Sequence, residues 1–486
     1  MPHLLGRIRD FLGRYLDALI LITVIAVALS VRLDLMTRIP VFVSKDSQSY
    51  FLPAWDLVHG DAFVLGLRRT PGYPLFLALV QRMLGPELQS VVIAQHLLGV
   101  ATAALTCLLG RSIFGSLAGL VAGLLVALSA PLIIYEHYVL TESLFTFALT
   151  GAMLVFVMAM RSQARRATFA AGLALGVAAM VRPVGQILAP IVIAGVAAAR
   201  LPHWRKAAIA AVICGLGLAA ALTPWAIRNR LVSELGGTTT FGRTLIARTA
   251  YYDRGFAFYA PGWGDAGDSQ LVAARRIIQD GANRRQSDGT IAGRLRQELS
   301  LGPIEVNSVM RQVATEAILR RPDYFITGSL RFAWEIFDGQ DERIRNHADE
   351  VKDVVWEART AHLLPGKLTP AQEREQRDAQ QLLNLYQPAR HTTMLAVLCA
   401  LATLGAMVRR SWRVALPIAL AALTHILLSA ALDGPQERYR YTVDPLISVL
   451  AAGGLATVGW LTLAIGRVVS RVRAHPTRQP DVAASR

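Results

Sequence analysis

Residues 89–110 read QSVVIAQHLLGVATAALTCLLG, a run without Asp, Glu, Lys or Arg that is closed by Arg111. A helix needs about 20 mostly apolar residues to cross the hydrocarbon of a bilayer, and this run has that length. Working outward, comparable runs lie near 16–36, 115–134, 141–160, 168–184, 185–200, 206–226, 391–408, 413–432 and 442–466. The pair 168–184 and 185–200 is short and meets at Arg182-Pro183. The expected fold class is an all-α polytopic membrane protein with about ten transmembrane helices.

Composition points the same way. Of 486 residues 53% are hydrophobic and 17% charged, with a mean hydropathy of +0.40, whereas soluble domains are nearer a quarter charged. A net charge of +16 would suit nucleic acid. Here, however, the arginines gather at the ends of apolar runs, where anionic lipid headgroups are the fitting partner. Membrane lipids are therefore expected as partners and nucleic acid is not. Cys107, Cys214 and Cys399 each fall inside an apolar run and read as small packing residues rather than disulfide or zinc ligands. Arg7, Arg9 and Arg14 precede an apolar stretch that runs to Val31 without a small-residue cleavage site, the pattern of an uncleaved signal-anchor.

Basic residues orient the spans. With a cytoplasmic N-terminus, the inside loops carry Arg111; Arg161, Arg165 and Arg166; Arg200, Arg205 and Lys206; Arg409, Arg410 and Arg413; and the tail Arg467, Arg471 and Arg473. The outside turn 131–140 has no Lys or Arg. Both termini are thus expected in the cytoplasm. The chain divides into an N-terminal transmembrane module, 1–226, with a first outside loop at 37–88; a polar periplasmic loop domain at 227–390, expected to be mostly helical; C-terminal transmembrane helices at 391–466; and a tail, 467–486, whose last dozen or so residues read as disordered. Within 227–390, residues 316–337 read as one interfacial or packed helix rather than a span, because Arg320, Arg321, Asp323 and Arg331 interrupt it.

The first outside loop carries the most chemistry. It runs Ser44-Lys45-Asp46-Ser47-Gln48-Ser49-Tyr50-Phe51, then Trp55 and Gly60. Ser44 or Asp46 can cap a short helix, with Asp46 and Tyr50 four apart on one face. Arg68-Arg69-Thr70-Pro71-Gly72-Tyr73-Pro74 then starts a second helix too short to span. By position alone Asp46 reads as an N-cap, and Arg68 and Arg69 as arginines snorkelling to headgroups.

The order of the pieces adds a further reading. Asp-x-x-x-Tyr after a first span, Arg-x-Pro-Gly-Tyr-Pro before the second, Leu140-Thr141-Glu142-Ser143-Leu144-Phe145, Val181-Arg182-Pro183, Thr223-Pro224-Trp225-Ala226-Ile227-Arg228-Asn229, and Glu437-Arg438-Tyr439-Arg440-Tyr441 before the last span together resemble the GT-C glycosyltransferases. The likeness is to the family 39-like group, which includes protein O-mannosyltransferases and the aminoarabinose transferase of lipid A. It covers roughly 10–230 and 390–465 and does not reach the intervening domain.

The resemblance implies a transferase that moves a sugar from a polyprenyl-phosphate carrier to a hydroxyl on a cell-envelope glycan, lipid or protein, from the bacterial inner membrane and on its periplasmic side. The family's catalytic aspartate falls on Asp46. The acidic pair often found there is absent, since Lys45 precedes Asp46 and Ser47 follows it. A carboxylate can take the acceptor's proton, and guanidinium forks suit a leaving phosphate; the candidates are Arg69, Arg182, Arg438 and Arg440. Direct displacement inverts the anomeric carbon. Tyr50, Tyr73, His137, Glu142 and Tyr439 are expected to contact substrate, with Glu142 equally readable as an acid favoured at a helix N-terminus. Relatives that bind a divalent ion near the acid leave metal use open, although His137 and Glu142 alone fall short of a site.

The absence of an Asp-x-Asp triplet and of a Walker loop disfavours nucleotide sugars and nucleotide-driven transport. A flippase for lipid-linked sugars should show repeated halves and mid-membrane charges; here no repeat is found and the ionisable residues gather at the outer mouth, with His96 and His425 the main exceptions, both read as hydrogen-bonded packing residues. A periplasmic polysaccharide polymerase or ligase is the third reading, and would not need the Asp46 segment.

Overall fold

The computed structural model describes residues 2–66, 69–232, 241–253, 258–259, 269–339, 354, 356–385, 392–408, 411–436 and 438–474. Arg68, Arg409, Arg410, Glu437 and 475–486, all read above, lie outside the described residues. The ten apolar runs fall on helices. They are α1 (Pro2–Leu35), α4 (Leu88–Phe114), α5 (Ser116–Ala127) with α6 (Ala130–Glu136), α7 (Glu142–Ser162), α8 (Arg165–Val181), α9 (Ala189–Ala198) behind a tight 3₁₀ turn, α10 (Trp204–Val232), α17 (Thr392–Val408), α18 (Trp412–Asp433) and α20 (Asp444–Ala474).

Six of these are long and apolar enough to cross a bilayer: α1, α4, α7, α10, α18 and α20. The third run passes the same test only as a pair of helices, α5 and α6, bent by 50° where they meet. Pro131 stands at the start of α6 and cannot donate into a continuing helix. At 17 residues each, α8 and α17 reach about 25 Å. The protein is thus an all-helical polytopic membrane protein, and no strand beyond an isolated bridge occurs among the described residues.

Between the first two spans lie the short helices α2 (Gln48–His59) and α3 (Gly72–Leu84). The segment after α10 holds α11 (Phe241–Ile246), α12 (Ser269–Asn283), α13 (Asp288–Leu299), α14 (Pro303–Arg320), α15 (Pro322–Asp338) and α16 (Pro370–Leu385). The single helix expected over 316–337 is two. Pro322 cannot supply the amide that would continue α14, so Arg321 leaves helical geometry (φ −131°, ψ 59°) and α15 starts anew. Leu245, Ile246, Ile278, Ile291, Leu295, Met310 and Val313 form a core of their own. By contrast Phe332, Ala333 and Ile336 of α15, and Ala379 and Leu383 of α16, join the core of the membrane bundle.

The bundle also buries charge. Arg32, near the end of α1, donates from Nε and Nη2 to the two oxygens of Glu136 at 2.9 and 2.7 Å. His96 Nδ1 lies 2.6 Å from Glu136 Oε2, and its Nε2 lies 3.1 Å from His137 Nε2. All four side chains are buried. The position of Gly99 admits the pair, because a Cβ there would lie 2.0 Å from Glu136 Oε1. A carboxylate removed from such a setting leaves a guanidinium uncompensated, which costs about 3–5 kcal/mol. Glu136→Leu should therefore lower the unfolding temperature in detergent markedly, and adding Arg32→Met should restore part of the loss. If the double variant melts no higher than the single one, the ion pair is not the source of the stability.

Candidate active site

The site is assembled by fastening the first loop onto the bundle. After α1 the chain forms an isolated parallel bridge between Phe42 and Tyr138. The Phe42 amide donates to the His137 carbonyl at 2.9 Å, and the Val139 amide donates to the Phe42 carbonyl at 3.0 Å. A turn at 44–47 follows, in which the Ser44 amide donates to Ser47 Oγ at 2.8 Å. Ser47, not Ser44 or Asp46, holds the position before α2, and it makes no side-chain capping bond. Asp46 thus sits just outside the helix with its carboxylate available for tertiary contacts.

The second piece is the Arg69–Pro74 segment. Pro71 precedes the first turn of α3, as its fixed φ favours. Thr70 Oγ1 donates to the Val181 carbonyl at 2.9 Å. Gly72 lies so close to α8 that a Cβ would come within 2.6 Å of the Met180 carbonyl oxygen. This contact carries Arg69 over the Tyr50 ring, at 4.4 Å from its centroid. From there Arg69 Nη2 donates to Asp46 Oδ1 at 2.6 Å, and Nη1 donates to the Tyr50 hydroxyl at 2.7 Å.

Three more elements close the site. Glu142 is the first residue of α7, 3% exposed, with Arg182 Nη1 at 2.9 Å from its Oε1. Arg182 follows α8 directly, where Pro183 ends the helix. The one-turn helix α19 (Arg438–Tyr441) sends Arg438 to within 3.6 Å of Asp46 Oδ2 and 3.8 Å of Glu142 Oε1. Tyr439 donates to Asp433, and its ring lies 5.1 Å from the Arg182 guanidinium carbon. The result is a polar cavity of about 160 Å³ at one end of the spans, lined by Asp46, Tyr50, Arg69, Glu142, Arg182, Asp433, Arg438 and Tyr439 among others.

Seven of the ten residues singled out in the sequence therefore line one cavity: Asp46, Tyr50, Arg69, Glu142, Arg182, Arg438 and Tyr439. The other three are placed elsewhere. Tyr73 is fully buried and donates to Gln95 Oε1 at 3.0 Å. His137 belongs to the Glu136 network. Arg440 turns away from the cavity and donates from Nε to Asp444 Oδ1 at 3.2 Å and from Nη1 to the Asp338 carbonyl at 3.0 Å. Asp433 was not singled out; an acid immediately past an apolar run would have been the signal. Gln95 was missed too, although its Nε2 donates to the carbonyls of Glu136 and Tyr138 at 2.9 and 2.8 Å and so anchors the turn that holds Phe42.

Burial alone would raise the Asp46 carboxyl, but Arg69 and Arg438, by charge and by hydrogen bonds, outweigh it and hold the group below its ordinary value of 3.8. Burial likewise would lower the Arg438 guanidinium; Glu142, Asp46 and Asp433 overcome this and raise it. Asp46 and Arg438 are thus each favoured in the charged form by the opposite charges they face. Among the described residues no group of three or more His, Cys, Asp or Glu side chains is arranged to hold a metal ion; the cavity's carboxylates face arginines and Tyr439 instead.

Residues 68–227 match the sequence profile of a family described as dolichyl-phosphate-mannose-protein mannosyltransferase. The match takes in Arg69, Glu142 and Arg182 and stops short of Asp46 and Arg438. No curated protein sequence matches the chain. Among solved structures, the Archaeoglobus fulgidus oligosaccharyltransferase in its apo form superposes with a TM-score of 0.50 at 14% identity, covering 97% of this chain and 54% of that one. The same organism's AglB oligosaccharyltransferase, in complex with an inhibitory peptide and a dolichol-phosphate, gives 0.49 at 14% identity over 96% and 52%. ArnT from Cupriavidus metallidurans bound to undecaprenyl phosphate gives 0.37 at 15% identity over 95% and 81%. The chain spans about half the length of the archaeal proteins. The protein is a polytopic membrane protein with the GT-C fold.

Gly72→Ala tests the docking on which Arg69 depends. The new methyl meets backbone, which cannot swing aside, so the Arg69–Pro74 segment must shift. Overpacking of this kind costs about 1–3 kcal/mol. The expected outcome is a lower melting temperature together with loss of the docking of Thr70 on Val181, read as a disulfide cross-link between Cys substituted at Thr70 and Val181 that forms in the parent and fails in the glycine variant. Efficient cross-linking in both would show that the close approach is not required.

Proposed function

We propose that the protein is a glycosyltransferase that moves a sugar from a polyprenyl-phosphate carrier to an acceptor hydroxyl, on the periplasmic face of a bacterial inner membrane. One observation carries the reading: three guanidiniums, from Arg69, Arg182 and Arg438, converge with the Asp46 carboxylate in a single cavity at the end of the spans. The three forked cations, held in place by Asp46, Glu142 and Asp433 in the same cavity, match a phosphate that gains charge as its bond to the sugar breaks. The family profile over 68–227, named for a carrier-phosphate sugar, supports the same donor class. The basic residues of the short loops support a cytoplasmic location for the opposite end of the bundle.

The chemistry is a direct displacement. The acceptor O–H gives its proton to Asp46 while its oxygen forms a bond to the anomeric carbon. The bond from that carbon to the phosphate oxygen breaks, and its electron pair stays on the carrier phosphate held by Arg69, Arg182 and Arg438. Inversion follows, and no covalent enzyme intermediate is needed. Glu142 is 3% exposed and takes Arg182 on one side and Arg438 on the other, so its role is to hold two of the phosphate-binding arginines in place. Tyr50 and Tyr439 position Arg69 and Arg182 through ring and hydroxyl contacts.

Purified protein in nanodiscs, given a panel of polyprenyl-phosphate sugars, should release polyprenyl phosphate. Asp46→Asn should cut that release by about 10²–10⁴-fold while donor binding persists; full turnover in the variant would remove Asp46 from the reaction. Because the Asp46 carboxyl is held below its ordinary value of 3.8, the midpoint of its loss of base function on acidification should fall below that pH. Removing a neighbouring cation by Arg69→Gln should shift the acid limb of the rate profile to higher pH. An acid limb that stays in place would mean that a different group titrates.

A further inference from the structure

A second and larger cavity, of about 640 Å³, adjoins the first, and Arg69 lines both. One wall is α2 with Asp56 and the segment carrying Glu357 and Arg359; the other is built from α11, α13 and α14. On that second wall Gly289, Ala292, Gly293 and Arg296 follow one another at the spacing of a single helix face. Three small side chains thus make a floor to which a ligand backbone can come close, with Arg296 at its edge. Arg243 and Asn307 complete the wall, and no carboxylate among its residues lines the cavity.

The charges are arranged asymmetrically. Arg243 Nε donates to Asp288 Oδ2 at 2.9 Å, and Arg69 pairs with Asp46, but neither acid lines this cavity. Arg296 forms no ion pair among the described residues. The two carboxylates that do line it, Asp56 and Glu357, are both engaged by Arg359, at 2.6 and 2.8 Å. Guanidiniums therefore line the space from the helical wall, while their acid partners are outside the lining and the two lining acids are bridged by Arg359.

We propose that this groove binds the acceptor, and that the acceptor is an anionic saccharide bearing a carboxylate or phosphate, read by Arg296 and Arg243 and delivered past Arg69 to Asp46. The proposal rests on the reading of the smaller cavity as the donor-phosphate site. Charge-assisted hydrogen bonds to guanidinium give the selectivity, and the volume falls within the range of small-molecule sites. Asp46 and Arg69 lie where the groove meets the donor cavity, so the reacting hydroxyl sits at one end of the ligand and its anionic group further along the helical wall.

The test is equilibrium binding to full-length protein in phosphatidylcholine nanodiscs, which carry no net lipid charge. The probes are trigalacturonate and, as a neutral partner of the same length, maltotriose. Trigalacturonate should bind at least tenfold tighter than maltotriose, weaken with added salt, and lose at least tenfold in Arg296→Gln and more in Arg296→Glu. Arg296 is exposed, so both variants should melt with the parent. Equal binding of the two sugars, or binding indifferent to Arg296, overturns the proposal even if polyprenyl phosphate release is normal. Charge-selective binding without release from any donor would leave the groove as an anion site and sink the transfer reading instead.

Discussion

The carboxylate of Glu136 accepts from Arg32 on one side and meets His96 on the other, and the position of Asp46 is built outward from it. His96 meets His137; Gln95, on the same helix, holds the carbonyls of Glu136 and Tyr138; and the 137–139 turn so fixed exchanges two backbone hydrogen bonds with Phe42. Four residues further on stands Asp46. A loop at a membrane surface is normally among the least constrained parts of a chain. Here it is tied to a charged cluster inside the bundle, where unsatisfied groups are too costly to let the arrangement drift.

Around Asp46 the logic is one of balanced charge. Arg69, Arg182 and Arg438 share the cavity with Asp46, Glu142 and Asp433. No cation there stands without an acid, and the acid contributed by α7 is almost wholly enclosed. The arginines are thereby pre-aimed without a ligand, which removes the reorganisation that a flexible lysine cluster would need on binding an anion. Contributions come from six separate places in the chain: the first loop, the start of α3, the start of α7, the end of α8, the end of α18 and α19. The bundle must be complete before the cavity exists.

Much of this was legible in the sequence. Runs such as 89–110 mark helices by length and apolarity alone, and proline marked the start of α3 and the end of α8, because a missing amide acts locally. Arg69, Glu142, Arg182 and Arg438 are picked out by the order of the motifs that resemble a known family, since by position alone Arg69 reads as snorkelling to headgroups and Glu142 as an acid at a helix start. What was not legible depends on direction. In Arg438-Tyr439-Arg440-Tyr441 the two arginines look equivalent as text, yet one turn of helix sends Arg438 into the cavity and Arg440 to Asp444 and Asp338. Arg32 and Glu136 are 104 residues apart, and nothing local announces that they pair. The helix expected over 316–337 failed at Pro322, whose effect outweighs the amphipathic pattern on either side.

The opposite headings of Arg438 and Arg440 make α19 a rocker. One arm reaches the cavity. The other is seated under the C-terminal end of α15, where Arg440 holds the Asp338 carbonyl, Phe337 lies 5.7 Å from its guanidinium carbon, and Asp338 Oδ1 also accepts from Thr392 at the start of α17. Four residues leave no slack between the two arms. One turn of helix therefore joins the end of α15 to the cation beside Asp46.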